Sequence, residues 1–178
     1  VQTCALPIFL IAIDSLTGET AWRVDRPEFT RSYATPVLWN QGGVNEIVVA
    51  GPLQLVAYDA SNGARRWWVN GLSRLVDTTP VVSNGHLYLA TWSAGGDGQD
   101  RLSMKPFREA VEELDRDANG KIAKSELSDG PVLLRFFRID LNGDSELDEH
   151  EWNHQSRLFE LAQNVAMAVR PEIGRVHV

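Results

Sequence analysis

The sequence predicts a mainly β chain carrying an α-helical insertion, and three observations carry that prediction. A strand-turn-strand motif recurs at a spacing of 45 residues. The strand pattern breaks off partway through the last repeat. The interrupting stretch holds two acidic twelve-residue loops flanked by apolar helical stripes.

The repeat is the first element. AIDSLTGETAW at Ala12 to Trp22 aligns without a gap on AYDASNGARRW at Ala57 to Trp67, pairing Ala12 with Ala57, Asp14 with Asp59, Gly18 with Gly63 and Trp22 with Trp67. In each copy an apolar strand ends at the Asp, a Gly-bearing turn follows, and a second strand begins at the Trp, which is a hairpin. Thr35-Pro36-Val37 and Thr79-Pro80-Val81 repeat at nearly the same spacing and open further short strands. A period of about 40–45 residues with four strands each suits a propeller blade. The order in each blade is a TPV strand, a hydrophobic strand, an AxD strand and a Trp strand. Propellers close with about four to eight blades. This chain holds the end of one, all of a second and part of a third, so the expected fold is a partial β-propeller of two to three blades.

The motif Ala-x-Asp-x-x-x-Gly-x-x-x-Trp behind a Thr-Pro-Val strand resembles the PQQ-like, quinoprotein-type propeller repeat. That family includes quinone-dependent alcohol dehydrogenases and non-enzymatic relatives such as the outer-membrane assembly lipoprotein. The resemblance covers Phe9 to about Trp92 and resumes near Val165. It implies that Trp22 and Trp67 wedge between neighbouring blades, and that the parent protein works in the periplasm or outside the cell.

The insertion is the second element. Thr35 to Ala57 spans one blade's first three strands, and the equivalent stretch of the next runs from Thr79 to Ala168. The excess begins at the Gly-rich Ser93-Ala94-Gly95-Gly96-Asp97-Gly98, as a grafted domain would. Arg170 stands where the repeat has Asp. The expected organisation is propeller repeats over 9–92, an inserted domain over 93–163 with a linker at 93–106, and a resumed propeller strand in 164–178. Residues 1–8, VQTCALPI, resemble a translated sequencing adapter and are set aside. The chain's one cysteine, Cys4, lies among them, so no disulfide or thiolate ligand is expected in the remainder. The true N-terminus, with any secretory signal, is then expected to be missing.

The loops carry the chemistry. A twelve-residue Ca²⁺ loop takes oxygen ligands at positions 1, 3 and 5, a backbone carbonyl at 7, water or a side chain at 9 and a bidentate Glu at 12, with Gly at 6 for the turn. In DRDANGKIAKSE these are Asp115, Asp117, Asn119, the Lys121 carbonyl and Glu126, with Gly120 turning and Ala123 leaving position 9 to water. In DLNGDSELDEHE they are Asp140, Asn142, Asp144, the Glu146 carbonyl, Asp148 and Glu151. Ser145 replaces the turn glycine, at a cost of about 1 kcal/mol. Asp148 adds a carboxylate, so comparable affinities are expected. Ile122 and Leu147 are expected to face each other. Phe107, Val111 and Leu114 form a helical stripe behind Pro106, and VLLRFFRI and HEWNHQSRLFELA supply later helices. Two such loops in succession constitute an EF-hand pair.

Charge agrees with this assignment. The net charge of -7 lies wholly in Phe107–Glu160, which holds 14 acidic and 7 basic residues. That distribution argues against a nucleic-acid footprint, which would need a basic stripe, and points to cations as the partner. No apolar run approaches the ~18 residues of a membrane span.

His150-Glu151-Trp152-Asn153-His154 also reads as the H-E-x-x-H pattern of zinc hydrolases. Glu151 already serves the calcium loop, however, and of the later residues only His177 could offer a third imidazole. His86 reads as a strand-end surface residue. The expected function is calcium binding at two sites on a propeller scaffold, with a structural role for the ions. The partners are calcium ions and either another protein or the remaining blades. The alternative is a fragment of a PQQ-dependent dehydrogenase. No catalytic set or quinone site can be placed here.

Overall fold

The computed structural model describes residues 9–29, 33–93 and 103–170. Residues 1–8 with Cys4, the glycine-rich stretch 94–98 and residues 171–178 with His177 lie outside the described residues.

Strands β1 (Phe9–Ile13) and β2 (Thr20–Asp25) form an antiparallel hairpin. A four-stranded antiparallel meander follows: β3 (Val37–Gln41), β4 (Val44–Gly51), β5 (Gln54–Asp59) and β6 (Arg65–Asn70). Next come β7 (Val81–Ser83) and β8 (His86–Thr91). The chain then runs through α1 (Phe107–Leu114), the two-residue strand β9 (Ile122–Ala123), α2 (Pro131–Ile139), the two-residue strand β10 (Glu146–Leu147) and α3 (Glu149–Leu161). It returns as β11 (Val165–Val169), which pairs with β8 in a sheet of order β11-β8-β7.

Pairing registers the third sheet on the second. Val37 opposes Val48, which opposes Ala57. Val81 opposes Tyr88, which opposes Ala168. Ala168 therefore holds the place of Ala57, although the chain between the two neighbouring strands of its sheet is far longer.

The recurrent Asp has a visible task. Asp14 Oδ1 accepts the N–H groups of Leu16 and Thr17, and Gly18 N–H donates to the Asp14 carbonyl. Asp59 repeats this with Ser61 and Gly63. Such side-chain-to-backbone bonds satisfy turn donors that no strand can reach. Both glycines sit at φ +75°, where a Cβ is strained.

The two motif tryptophans are used differently. Trp22 reaches the next sheet, where its Nε1 donates to the Ala60 carbonyl at 3.1 Å and its ring lies over Gly63. Trp67 is buried in a cluster shared by the second and third sheets, edge-on to Trp39 with ring centroids 5.8 Å apart. Its Nε1 donates at 2.9 Å to Glu46, a buried carboxylate that also accepts from Arg66 Nε.

The helical segment has a core of its own, built from Ala110, Ile122, Phe136, Ile139, Leu147 and Trp152, with Phe107, Val111 and Leu114 packed against it. Trp152 anchors α1 by donating its indole N–H to the Lys105 carbonyl at 2.8 Å. The seam with the sheets is made by α3 and its exit: Gln163 N–H donates to the Leu72 carbonyl, and Ser93 N–H to Asn164 Oδ1.

Candidate metal centre

Each acidic loop lies between helical segments. In the first, α1 ends at Leu114 and the loop runs into one 3-10 turn, Lys124–Glu126. No α-helix follows directly, because Gly130 and Pro131 come next and the residue before a proline is disfavoured in helical conformation; α2 starts afresh at Pro131. In the second loop Glu151 lies inside the first turn of the longer α3.

The two loops share most of their internal wiring and differ at the first Asp. Asp115 accepts N–H bonds from Asn119 and Gly120, and Asp140 from Gly143 and Ser145. Glu126 folds back to accept the N–H groups of Arg116 at 2.6 Å, Asp117 at 3.3 Å and Ala123 at 2.8 Å. Glu151 accepts those of Leu141, Asn142 and Asp148 at 2.7, 3.1 and 3.2 Å, the equivalent three positions. Asn119 Oδ1 accepts from Lys121 N–H, as Asp144 Oδ1 does from Glu146 N–H. The loop backbone is thereby wrapped around its carboxylates. Ligand atoms of Asp115, Asp117 and Glu126 lie within 4.8 Å of one another, as do those of Asp140, Asp144 and Glu151.

The loops are joined back to back. Ile122 opposes Leu147 and Ala123 opposes Glu146 in a two-residue antiparallel ladder, and both apolar side chains are fully buried. Burial of each contributes ~1.5–3 kcal/mol. Across this ladder Lys121 Nζ lies 3.0 Å from both Asp144 Oδ2 and Glu146 Oε2, and Asn119 Nδ2 donates to Glu146 Oε1.

Charges respond to these surroundings. The N–H groups of Ala123 and Arg116 hold the Glu126 carboxyl below the usual range. Burial pushes Asp115 up, but the N–H groups of Gly120 and Asn119 outweigh it. Burial raises Asp117 and Glu151. Burial also pushes Asp144 up, and the Glu146 N–H together with the Lys121 ammonium outweighs it. Hydrogen bonds to Glu146 and Asp144 raise Lys121 in turn.

Four details escape the sequence pattern. Backbone strain is shared: Ser145 is left-handed at φ +69°, and so is Ala118 in the first loop at φ +56°, where the second loop has Gly143. Each loop has one glycine and one strained residue, and the Asn-Gly pair at Asn142-Gly143 is the signal that shows it. Asp148 stands outside its loop's carboxylate triad, and its Oδ1 accepts Glu151 N–H at 2.9 Å as the N-cap of α3. Lys121, singled out for its carbonyl, contributes its ammonium. Asn142 turns its amide toward Asp144.

The donors are hard oxygens, a set that suits Ca²⁺ or Mg²⁺ and disfavours zinc. His150 and His154 stack with ring centroids 6.4 Å apart, while Glu151 is turned into its loop. Among the described residues no further His, Cys, Asp or Glu completes a metal cluster with these two imidazoles. No described helix is long and apolar enough to cross a membrane.

Comparison with curated proteins yields no match. Among solved structures, BamB from Moraxella catarrhalis aligns at 22% identity and TM-score 0.37, covering 45% of this chain and 28% of that one. The family profile described as "Outer membrane protein assembly factor BamB" matches residues 9–133, well over half of the chain. The match takes in both motif hairpins, the four-stranded sheet and the first acidic loop. The chain belongs to the BamB family of PQQ-like β-propeller repeat proteins.

Proposed function

We propose that this chain is a calcium-binding interaction scaffold, in which a paired EF-hand unit is grafted onto one blade of a periplasmic or extracellular propeller. The observation that carries the reading is the equivalence of the two loops. The closing Glu of each loop accepts the N–H groups of the same three loop positions, beside oxygen-only triads joined through Ile122 and Leu147. The first ion would be held by Asp115, Asp117, Asn119, the Lys121 carbonyl and Glu126. The second would be held by Asp140, Asn142, Asp144, the Glu146 carbonyl and Glu151, with Asp148 as the cap of α3. Bound calcium supplies the positive charge that the clustered carboxylates lack. Helix α3 carries Glu151 at one end and runs into β11 at the other, so an ordered second loop favours a seated edge strand.

The family description names an assembly factor, which favours a protein partner over a small substrate. Phe9, Ile11 and Ile13 on β1, and Leu38, Val81 and Tyr88 on the later sheets, are exposed apolar side chains that further blades of a propeller would cover.

The test is calorimetric titration of the full chain with calcium, with zinc as control and with Glu126→Gln and Glu151→Gln. Two calcium events, each lost with its own Glu, are expected. At 100-fold excess over the dissociation constant each site should stabilise its unit by about 2.7 kcal/mol. Calcium silence, or zinc binding tighter than calcium, refutes the reading.

A further inference from the structure

Five asparagines of this chain are followed by glycine: Asn62, Asn70, Asn84, Asn119 and Asn142. An Asn-Gly pair can close on itself, because glycine puts no Cβ in the path by which its backbone nitrogen reaches the asparagine side chain. Folding decides which pairs do so, since a nitrogen or an amide already held by a hydrogen bond must first let go.

Four of the five are held at both ends. The N–H of Gly63 donates to the Asp59 carbonyl at 2.8 Å, and that of Gly71 to the Leu53 carbonyl at 2.9 Å. The N–H groups of Gly120 and Gly143 donate to the Asp115 and Asp140 carboxylates at 2.8 and 2.7 Å. The side chains are tied as well. Asn62, Asn119 and Asn142 accept backbone N–H groups through Oδ1, and Asn70 Oδ1 accepts from Gln54 Nε2.

Asn84-Gly85 is the exception. These two residues form the turn that joins β7 to β8, with Ser83 opposite His86, and both are exposed and left-handed, at φ +50° and +74°. Among the described residues neither the Asn84 side chain nor the Gly85 N–H makes a hydrogen bond. The peptide between them is nevertheless contacted, because His86 Nδ1 lies 2.9 Å from the Asn84 carbonyl oxygen. A carbonyl only accepts, so Nδ1 carries the proton and donates. The attacking species in ring closure is the Gly85 nitrogen stripped of its proton, whose negative charge spreads onto that same carbonyl oxygen. A donor already in place there stabilises the charge as it forms. The His86 ring is steadied by stacking on Tyr88, with centroids 6.1 Å apart.

We propose that Asn84 is a self-deamidation site, selected by its unheld turn and promoted by His86. The Gly85 nitrogen bonds to Asn84 Cγ, the Cγ–Nδ2 bond breaks, and ammonia leaves with the proton that Gly85 gave up. Water then opens the resulting succinimide. Cleavage of the new N–Cγ bond yields aspartate; cleavage of the original peptide bond yields isoaspartate, which routes the main chain through Cγ and lengthens the two-residue turn. Either product adds one negative charge beside His86.

The experiment incubates the full chain at mildly alkaline pH, folded and in urea. Each Asn-Gly peptide is followed by mass spectrometry, with isoaspartate methyltransferase labelling as a second readout. In the folded chain Asn84 should convert about ten-fold or more faster than any of the other four, which must break a hydrogen bond first. In urea the five rates should converge. His86→Phe keeps a ring against Tyr88 but loses the donor, and should slow Asn84 roughly three-fold or more while leaving the other four unchanged. His86→Val replaces it if far-UV circular dichroism shows that the first variant does not fold. If Asn84 converts no faster than the other pairs in the folded chain, or another pair leads, the site is refuted. A folded His86 variant with an unchanged Asn84 rate overturns the part assigned to His86.

Discussion

Substituting alanine at Gly63 and, separately, at Gly18 tests how the repeats hold together. Both glycines occupy the same place in the motif and both have φ +75°, so either substitution meets the same left-handed strain of about 1 kcal/mol. Their surroundings differ. A Cβ on Gly18 meets nothing within 4 Å, whereas one on Gly63 would lie 2.6 Å from Trp22 Cε3 and 2.8 Å from Val24 Cγ2. The Trp22 ring must shift, straining its bond to the Ala60 carbonyl, and overpacking of this kind costs ~1–3 kcal/mol. Gly63→Ala should therefore lose about 2–4 kcal/mol and Gly18→Ala about 1 kcal/mol. At this chain length those losses lower the midpoint by roughly 4–16 °C and 2–4 °C. Thermal and urea unfolding of the full chain, followed by circular dichroism and tryptophan fluorescence, measures both. Equal losses would refute the claim that Trp22 is seated on the next repeat's turn.

Three further outcomes are expected. Ile122→Ala and Leu147→Ala each leave a cavity in the ladder that both loops share, costing ~2–5 kcal/mol; calorimetry should show both calcium events weakened by either change, and an effect confined to one loop would argue against a shared core. Lys121→Gln removes the ammonium beside Asp144 and Glu146, both partly exposed, so the gain is limited to the 0–1 kcal/mol of a surface ion pair, or up to about five-fold tighter calcium at the second loop; weaker binding there would overturn the competition. Asp59→Asn should destabilise the chain at neutral pH, because bonds from Ser61 hold the Asp59 carboxyl below the usual range. A depressed folded value stabilises above the unfolded value of about 3.9 and is lost as pH falls through the folded one, so the deficit measured by urea unfolding should shrink below about pH 4. A deficit that persists unchanged at pH 2 would place the cause elsewhere.

The sequence by itself determined what depends on local chemistry. The Asp-turn-Gly hairpins are legible because Asp14 and Asp59 bond to donors two or three residues away, and the acidic loops because twelve consecutive residues supply their own oxygens and turns. The long stretch of chain between β8 and β11 is legible because a repeat with a known spacing was overrun. Tertiary structure decided what depends on distant neighbours. Trp22 and Trp67 hold the same motif position, but one bonds to the Ala60 carbonyl of the next sheet and the other to Glu46 of its own. Ser145 is matched by Ala118 because left-handed geometry occurs at two loop positions, and the positions share their glycines differently in the two loops. Lys121 meets the second loop through the β9–β10 ladder. Charges 20 or more residues apart carry no local mark of one another; only the folded chain brings their fields within range.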